Sequence, residues 1–99
     1  MTETLSTLAN RLGKQLIKQG MQLVTAESCT GGGLSYWLTS VSGSSAWFER
    51  GYVTYSNHAK IEMLGISPAK LKRYGAVSRE IAEAMAIGAL KHKIGRAHV

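Results

Sequence analysis

Leu5, Leu8, Leu12 and Leu16 recur at helical spacing with Arg11, Lys14 and Lys18 between them, so the chain opens on an amphipathic helix with a leucine stripe. Thr2 or Thr4 can cap its start, and Gly20 stands where a helix-ending glycine belongs. Met21–Ala26 then reads as a strand. Leu34–Val41 reads as a second helix, its apolar content supplied by Tyr36, Trp37, Leu38 and Val41. Ser42–Ser45 is loop by composition. Trp47, Phe48 and then Gly51–Tyr55 form a second strand candidate, rich in aromatic and β-branched residues. Ser56–Asn57 caps a short helix over Ala59–Leu64, which Gly65 terminates, and Ser67–Pro68 starts another that runs to about Tyr74. Ser78 starts the last helix, whose expected buried face is Ile81, Met85 and Ala89 together with Ala82, Ala86 and Leu90. Helices alternating with strands predict an α/β fold, with the strands parallel, adjacent and joined by the 34–41 helix. A sheet of only two recognisable strands is too small to be stable alone, which predicts an incomplete domain.

Composition narrows this picture without changing it. At 99 residues, 44% hydrophobic and 18% charged, the chain is at most one ordinary globular domain. No apolar run approaches the ~20 residues of a membrane span. The start, Met1–Ser6, lacks a basic region followed by an apolar block, so no signal peptide is expected. Cys29 is the only cysteine, which excludes an internal disulfide and predicts a reducing, cytoplasmic setting. The formal charge is +6 and aspartate is absent. The basic residues are scattered apart from Lys70–Arg73, a cluster that reads as a solvated helix face. Neither a nucleic-acid nor a membrane partner is expected.

The tail stands apart. Ile94–Val99 can be written ATC GGA AGA GCA CAC GTC, a string that resembles a common sequencing-library adapter. The expectation is that native sequence stops near His92, that residues 93–99 are a foreign tail, and that the last helix frays beyond His92 because Gly95 breaks it.

The candidate chemistry lies between the first strand and the second helix, in Thr25-Ala26-Glu27-Ser28-Cys29-Thr30-Gly31-Gly32-Gly33. In α/β proteins ligands bind outside the carboxyl ends of strands. A helix start offers unpaired N–H groups and a partial positive charge, suited to a phosphate or a developing oxyanion. Ser28 in this turn, Tyr55 at the end of the second strand and Lys60 in the helix after it can converge on one cleft. A serine needs a base to become a nucleophile. A buried lysine can serve, because desolvation disfavours the charged form of an amine. Each residue also has a structural reading: Ser28 as a helix cap, Tyr55 as strand-end packing, Lys60 as a solvated charge, Cys29 as apolar filler, His58 as helix surface. Spacing alone leaves open a non-catalytic module that holds a nucleotide phosphate on the glycine-rich turn.

Thr25–Gly32, Gly43–Phe48, Gly51–Lys60 and Tyr74–Ser78 together resemble the CinA carboxy-terminal domain family, in the same order and over Leu5 to about His92. The likeness is to its stand-alone bacterial members, the nicotinamide-nucleotide amidases. The resemblance implies a three-layer α/β/α sandwich. It also implies hydrolysis of the carboxamide of nicotinamide mononucleotide to nicotinate mononucleotide and ammonia, a step of pyridine-nucleotide salvage, with no cofactor or metal. It places the nucleophile on Ser28 and its assisting groups on Tyr55 and Lys60. Substrate contacts would come from Glu27, Cys29, Thr30, Gly31, Gly32, Ser45 and Asn57, and backbone N–H groups near Cys29–Gly31 would hold the oxyanion or a phosphate. Homo-oligomerisation of the full-length protein is implied as well. Residues 1–92 would be an incomplete amidase domain of impaired activity, because the family's later strands and its glycine-rich Ile-Ala-Gly-Pro-Asp-Gly-Gly type loop have no counterpart here. Gly33 departs from the family pattern as a third glycine.

Overall fold

The computed structural model describes residues 4–97. Its elements run α1 (Leu5–Lys18), β1 (Leu23–Glu27), α2 (Gly33–Leu38), a 3₁₀ turn (Ser44–Ala46), β2 (Phe48–Val53), α3 (Asn57–Leu64), α4 (Pro68–Tyr74) and α5 (Arg79–Ala97). β1 and β2 pair in parallel, from Leu23 opposite Phe48 to Glu27 opposite Val53, with a register shift after Leu23. The α/β class and the parallel neighbouring strands are therefore as the sequence pattern indicated. The second strand begins earlier than Gly51 and ends at Val53, so Tyr55 lies just beyond it.

Hydroxyl side chains start four of the five α-helices, all but α2. Thr4 Oγ1 accepts the Thr7 N–H at 3.1 Å, Ser56 Oγ that of Ala59 at 3.0 Å, Ser67 Oγ that of Lys70 at 3.3 Å and Ser78 Oγ that of Ile81 at 3.2 Å. Thr2, the other candidate cap of α1, lies outside the described residues.

Alternation along β1 separates two layers of helix. Val24 and Ala26, with Tyr52 of β2, pack against a core of Leu64, Ile66, Leu71, Ile81, Met85 and Ala89 from the α3–α5 side. Leu23 and Phe48 pack against Ala9, Leu38, Val41 and Trp47 from the α1–α2 side. The sheet is thus covered on both faces, as a three-layer α/β/α arrangement requires.

Two helices turn different faces inward from those the apolar spacing suggested. On α1, Ala9 and Gly13 are buried while Leu5, Leu8 and Leu12 stay exposed. The reason is Trp47, whose indole lies so close to Gly13 that any Cβ there would collide with it. On α5, Ile81, Met85 and Ala89 are buried as expected, but Ala82, Ala86 and Leu90 face outward. Gly88 takes their place, with the Leu64 carbonyl where its Cβ would sit, so α3 and α5 touch backbone to backbone. α5 also continues through Gly95 to Ala97 rather than ending near His92; one interior glycine costs a helix only ~1 kcal/mol and does not by itself stop it. No helix among the described residues is long and apolar enough to cross a membrane.

Candidate active site

The site grows from the parallel pairing. Ser28 follows β1 directly, and the chain leaving β2 at Val53 passes beside it: the Thr54 N–H donates to the Glu27 carbonyl at 2.8 Å, extending the ladder beyond the strand. That contact sets the Tyr55 carbonyl next to Ser28. Ser56 then caps α3, and Lys60, in the first turn of that helix, sends its amine back under the same corner.

The outcome is a three-membered cluster. Lys60 Nζ donates to Ser28 Oγ at 3.0 Å and to the Tyr55 carbonyl at 3.2 Å. The Ser28 hydroxyl donates to that same carbonyl at 3.3 Å. Lys60 is only 2% exposed, and among the described residues no carboxylate forms an ion pair with it. Burying an amine without a counter-charge is costly, and here the position brings it to a serine. Tyr55 takes part through its main chain; its side chain is 71% exposed.

Glu27 builds the turn. It is buried, and both of its oxygens are used within the chain. Oε1 accepts from Thr30 Oγ1 at 2.7 Å and from the Leu34 N–H at 2.8 Å. Oε2 accepts from the Ser35 N–H at 2.9 Å and from Ser35 Oγ. Burial works against its ionisation, but the bonds from Ser35, Thr30 and Leu34 outweigh this and hold its pKa down at about 2, below the ordinary 4.5. The first N–H groups of α2 are therefore occupied by a carboxylate of the chain itself. The Gly31 N–H bonds the Ser28 carbonyl and the Gly33 N–H bonds the Thr30 carbonyl. This leaves the N–H groups of Ser28, Cys29, Thr30 and Gly32 as donors of the turn that have no partner among the described residues. Gly31 and Gly32 have positive φ values of 61° and 102°, which turn the chain from β1 into α2.

Sequence reasoning missed the residues behind Glu27. Thr25 is buried on the same face of β1, and its hydroxyl meets that of Ser35 at 2.8 Å. Gly51 of β2 lies alongside, where an added Cβ would stand 2.6 Å from both hydroxyl oxygens. The signal was present in the alternation Leu23–Thr25–Glu27, which sets polar residues on a face that should be apolar.

The remaining candidates are more dispersed. Cys29 and Thr30 are exposed in the turn, and Asn57 is exposed as the first residue of α3, where Ser56 acts as the cap. Ser45 lies in the 3₁₀ turn before β2, at the amino ends of the parallel strands, whereas Ser28 is at their carboxyl ends; the fold does not bring these two together. His58 is on the surface, 3.4 Å from Glu62. Among the described residues no group of His, Cys, Asp or Glu side chains could hold a metal ion.

Known proteins share this arrangement of chain. The pattern of the CinA C-terminal domain matches residues 5–97. A nicotinamide-nucleotide amidohydrolase PncC of Pseudomonas putida is 53% identical over 87 residues, 88% of this chain and 54% of that protein. The protein of the same name from Escherichia coli K12 is 50% identical over 92 residues, 92% of this chain and 56% of its own length. The crystal structure of a competence-damaged protein (CinA) superfamily protein from Enterobacter cloacae superposes with a TM-score of 0.88 at 38% identity, covering 97% of this chain and 56% of that one. The chain spans about half the length of the curated relatives it matches. It belongs to the CinA C-terminal domain family.

Proposed function

We propose that this member of the CinA C-terminal domain family is the nucleophile-bearing part of an amidohydrolase that converts nicotinamide mononucleotide to nicotinate mononucleotide and ammonia. The observation that carries this reading is the buried Lys60 amine at 3.0 Å from Ser28 Oγ. The relatives' name, nicotinamide-nucleotide amidohydrolase, supplies the substrate.

The chemistry follows from the geometry. With Lys60 as the free amine, the Ser28 hydroxyl turns from the Tyr55 carbonyl to Nζ and gives up its proton as Oγ attacks the carboxamide carbon. The N–H groups of Cys29 and Thr30 receive the oxyanion. Collapse of the tetrahedral adduct breaks the C–N bond, and the Lys60 ammonium protonates the departing nitrogen, which leaves as ammonia. Water, deprotonated by Lys60, then attacks the ester on Ser28; the acyl–Oγ bond breaks, the Lys60 ammonium returns the proton to Ser28 Oγ, and nicotinate mononucleotide leaves. The Tyr55 carbonyl keeps accepting from Lys60 Nζ and so holds the amine in place. The alternative, a module that only binds a nucleotide phosphate at the helix start, is disfavoured because Glu27 already occupies the first N–H groups of α2.

The reading carries with it a cytoplasmic, homo-oligomeric enzyme without nucleic-acid or membrane partners. It also takes residues 1–92 as amidase sequence and 93–99 as a foreign tail, which sequencing of the genomic locus tests directly. The test of function is ammonia release from nicotinamide mononucleotide by the full-length protein. Ser28→Ala should lower it by at least about 10⁴-fold while the protein remains folded, since the hydroxyl's hydrogen bonds to the Tyr55 carbonyl and Lys60 are worth only about 1–3 kcal/mol. Near-normal turnover in that variant would move the nucleophile to Cys29 or to water.

A further inference from the structure

Glu27 precedes the nucleophile, yet it touches neither Ser28 Oγ nor Lys60. Its carboxylate accepts four hydrogen bonds from Thr30, Leu34 and Ser35, which tie both ends of the turn to one buried point. The Thr25 hydroxyl braces Ser35 from below, and Gly51 leaves just enough room for that pair. The side chain is 3% exposed, so neither water nor a ligand reaches it without dismantling the turn.

This arrangement has two consequences. Ser28 is fixed between a strand that ends at Glu27 and a turn that is pinned at residue 30, so the direction of its Cα–Cβ bond is set by where the carboxylate sits. The N–H groups of Leu34 and Ser35, which would otherwise be the most attractive anion site of the turn, are also taken out of play, and those of Ser28, Cys29, Thr30 and Gly32 remain for a substrate. We infer that Glu27 is the positioning residue of this site: it aligns Ser28 with Lys60 and, by taking the Leu34 and Ser35 N–H groups itself, leaves the substrate's developing charge to the unpartnered N–H groups between Ser28 and Gly32. It makes no contact with the substrate. This rests on the amidohydrolase reading above, because it assigns Glu27 a part in that reaction.

The test separates alignment of the nucleophile from substrate binding and from folding. In the full-length protein, Glu27→Gln and Ser35→Ala are compared with wild type in three measurements: kcat and KM for nicotinamide mononucleotide, the rate at which a fluorophosphonate forms a phosphorus–oxygen bond to Ser28 with loss of fluoride, and far-ultraviolet circular dichroism. Glu27→Gln turns an amide NH₂ toward groups that are themselves donors. It should lower kcat and the labelling rate together by about tenfold to a hundredfold, the cost of a misplaced reacting group, with KM within about twofold of wild type. Ser35→Ala removes one donor and should show the same split with a smaller drop of about threefold to tenfold. If Glu27→Gln does not fold, Ser35→Ala carries the test alone. Unchanged kcat and labelling in a folded variant would overturn the inference. So would a tenfold rise in KM with kcat retained, which would make Glu27 a substrate contact. A wild-type protein that is labelled at Ser28 and releases ammonia, with variants that match it, defeats the inference and leaves the proposed function standing. A wild type that does neither defeats both.

Discussion

The corner at the carboxyl ends of β1 and β2 buries one ionisable side chain from each side of the sheet, and the two are treated in opposite ways. Glu27, on the α1–α2 side, is 3% exposed and meets four donors. Lys60, on the α3–α5 side, is 2% exposed and meets two oxygens, of which one is the Ser28 hydroxyl. A buried charge with a full set of partners contributes to stability; one with few is tolerated for what it can do. The glutamate therefore reads as architecture and the lysine as chemistry, although both lie close to the same serine.

The strongest way to break this contrast is to remove the lysine amine without changing its bulk. Lys60→Met in the full-length protein should lower kcat for ammonia release by about 10³-fold or more. Its midpoint of urea unfolding should stay level or rise, because a well-packed apolar chain replaces an unpaired amine. A loss of more than about 2 kcal/mol would show that the amine is structural after all.

Glu27 should behave in the reverse sense. Its folded pKa of about 2 lies below the ordinary 4.5, so the unfolded chain binds its proton more readily. The stability it contributes is complete above pH 4.5 and is lost as the pH falls toward 2. At about 1.4 kcal/mol per unit, that amounts to roughly 3 kcal/mol. Urea titrations of wild type and Glu27→Gln should show the gap between them closing through this acid range. A gap that persists unchanged to low pH would mean that the carboxylate charge is not what holds the turn.

A smaller effect sharpens the same comparison from the sheet. Gly51→Ala sets a methyl 2.6 Å from the Ser35 and Thr25 oxygens. It should cost about 1–3 kcal/mol, measurable as a lowered Tm, and should reduce kcat through Glu27's partner Ser35 rather than through Lys60. An alanine tolerated without loss of Tm or rate would show that the hydroxyl pair behind Glu27 is dispensable.

Local chemistry was legible wherever it is written in consecutive residues. Ser56, Ser67 and Ser78 announced their helices because a hydroxyl two or three positions before a helical N–H needs no help from elsewhere to cap it. The meeting of Ser28 with Lys60 was legible for a topological reason, since the residue after one strand and the first helical turn after its parallel neighbour share an end of the sheet. The same reasoning places Ser45, before β2, at the other end of the sheet. Helix faces were legible only in part. The apolar spacing of α1 pointed to Leu5, Leu8 and Leu12, but Ala9 and Gly13 went inside, because small residues allow the Trp47 ring to come close.

The sequence by itself therefore determined the order of elements, the α/β class and the candidate nucleophile with its lysine, because caps, turn glycines and strand order act over a few residues or follow from chain direction. Only the tertiary structure decided that Tyr55 contributes its carbonyl, that Glu27 takes the start of α2 for itself, and that Thr25, Ser35 and Gly51 stand behind it. Those facts depend on hydrogen bonds between residues brought together by packing. Their direction is fixed by backbone geometry to within a few tenths of an ångström, a precision that residue type and spacing do not encode.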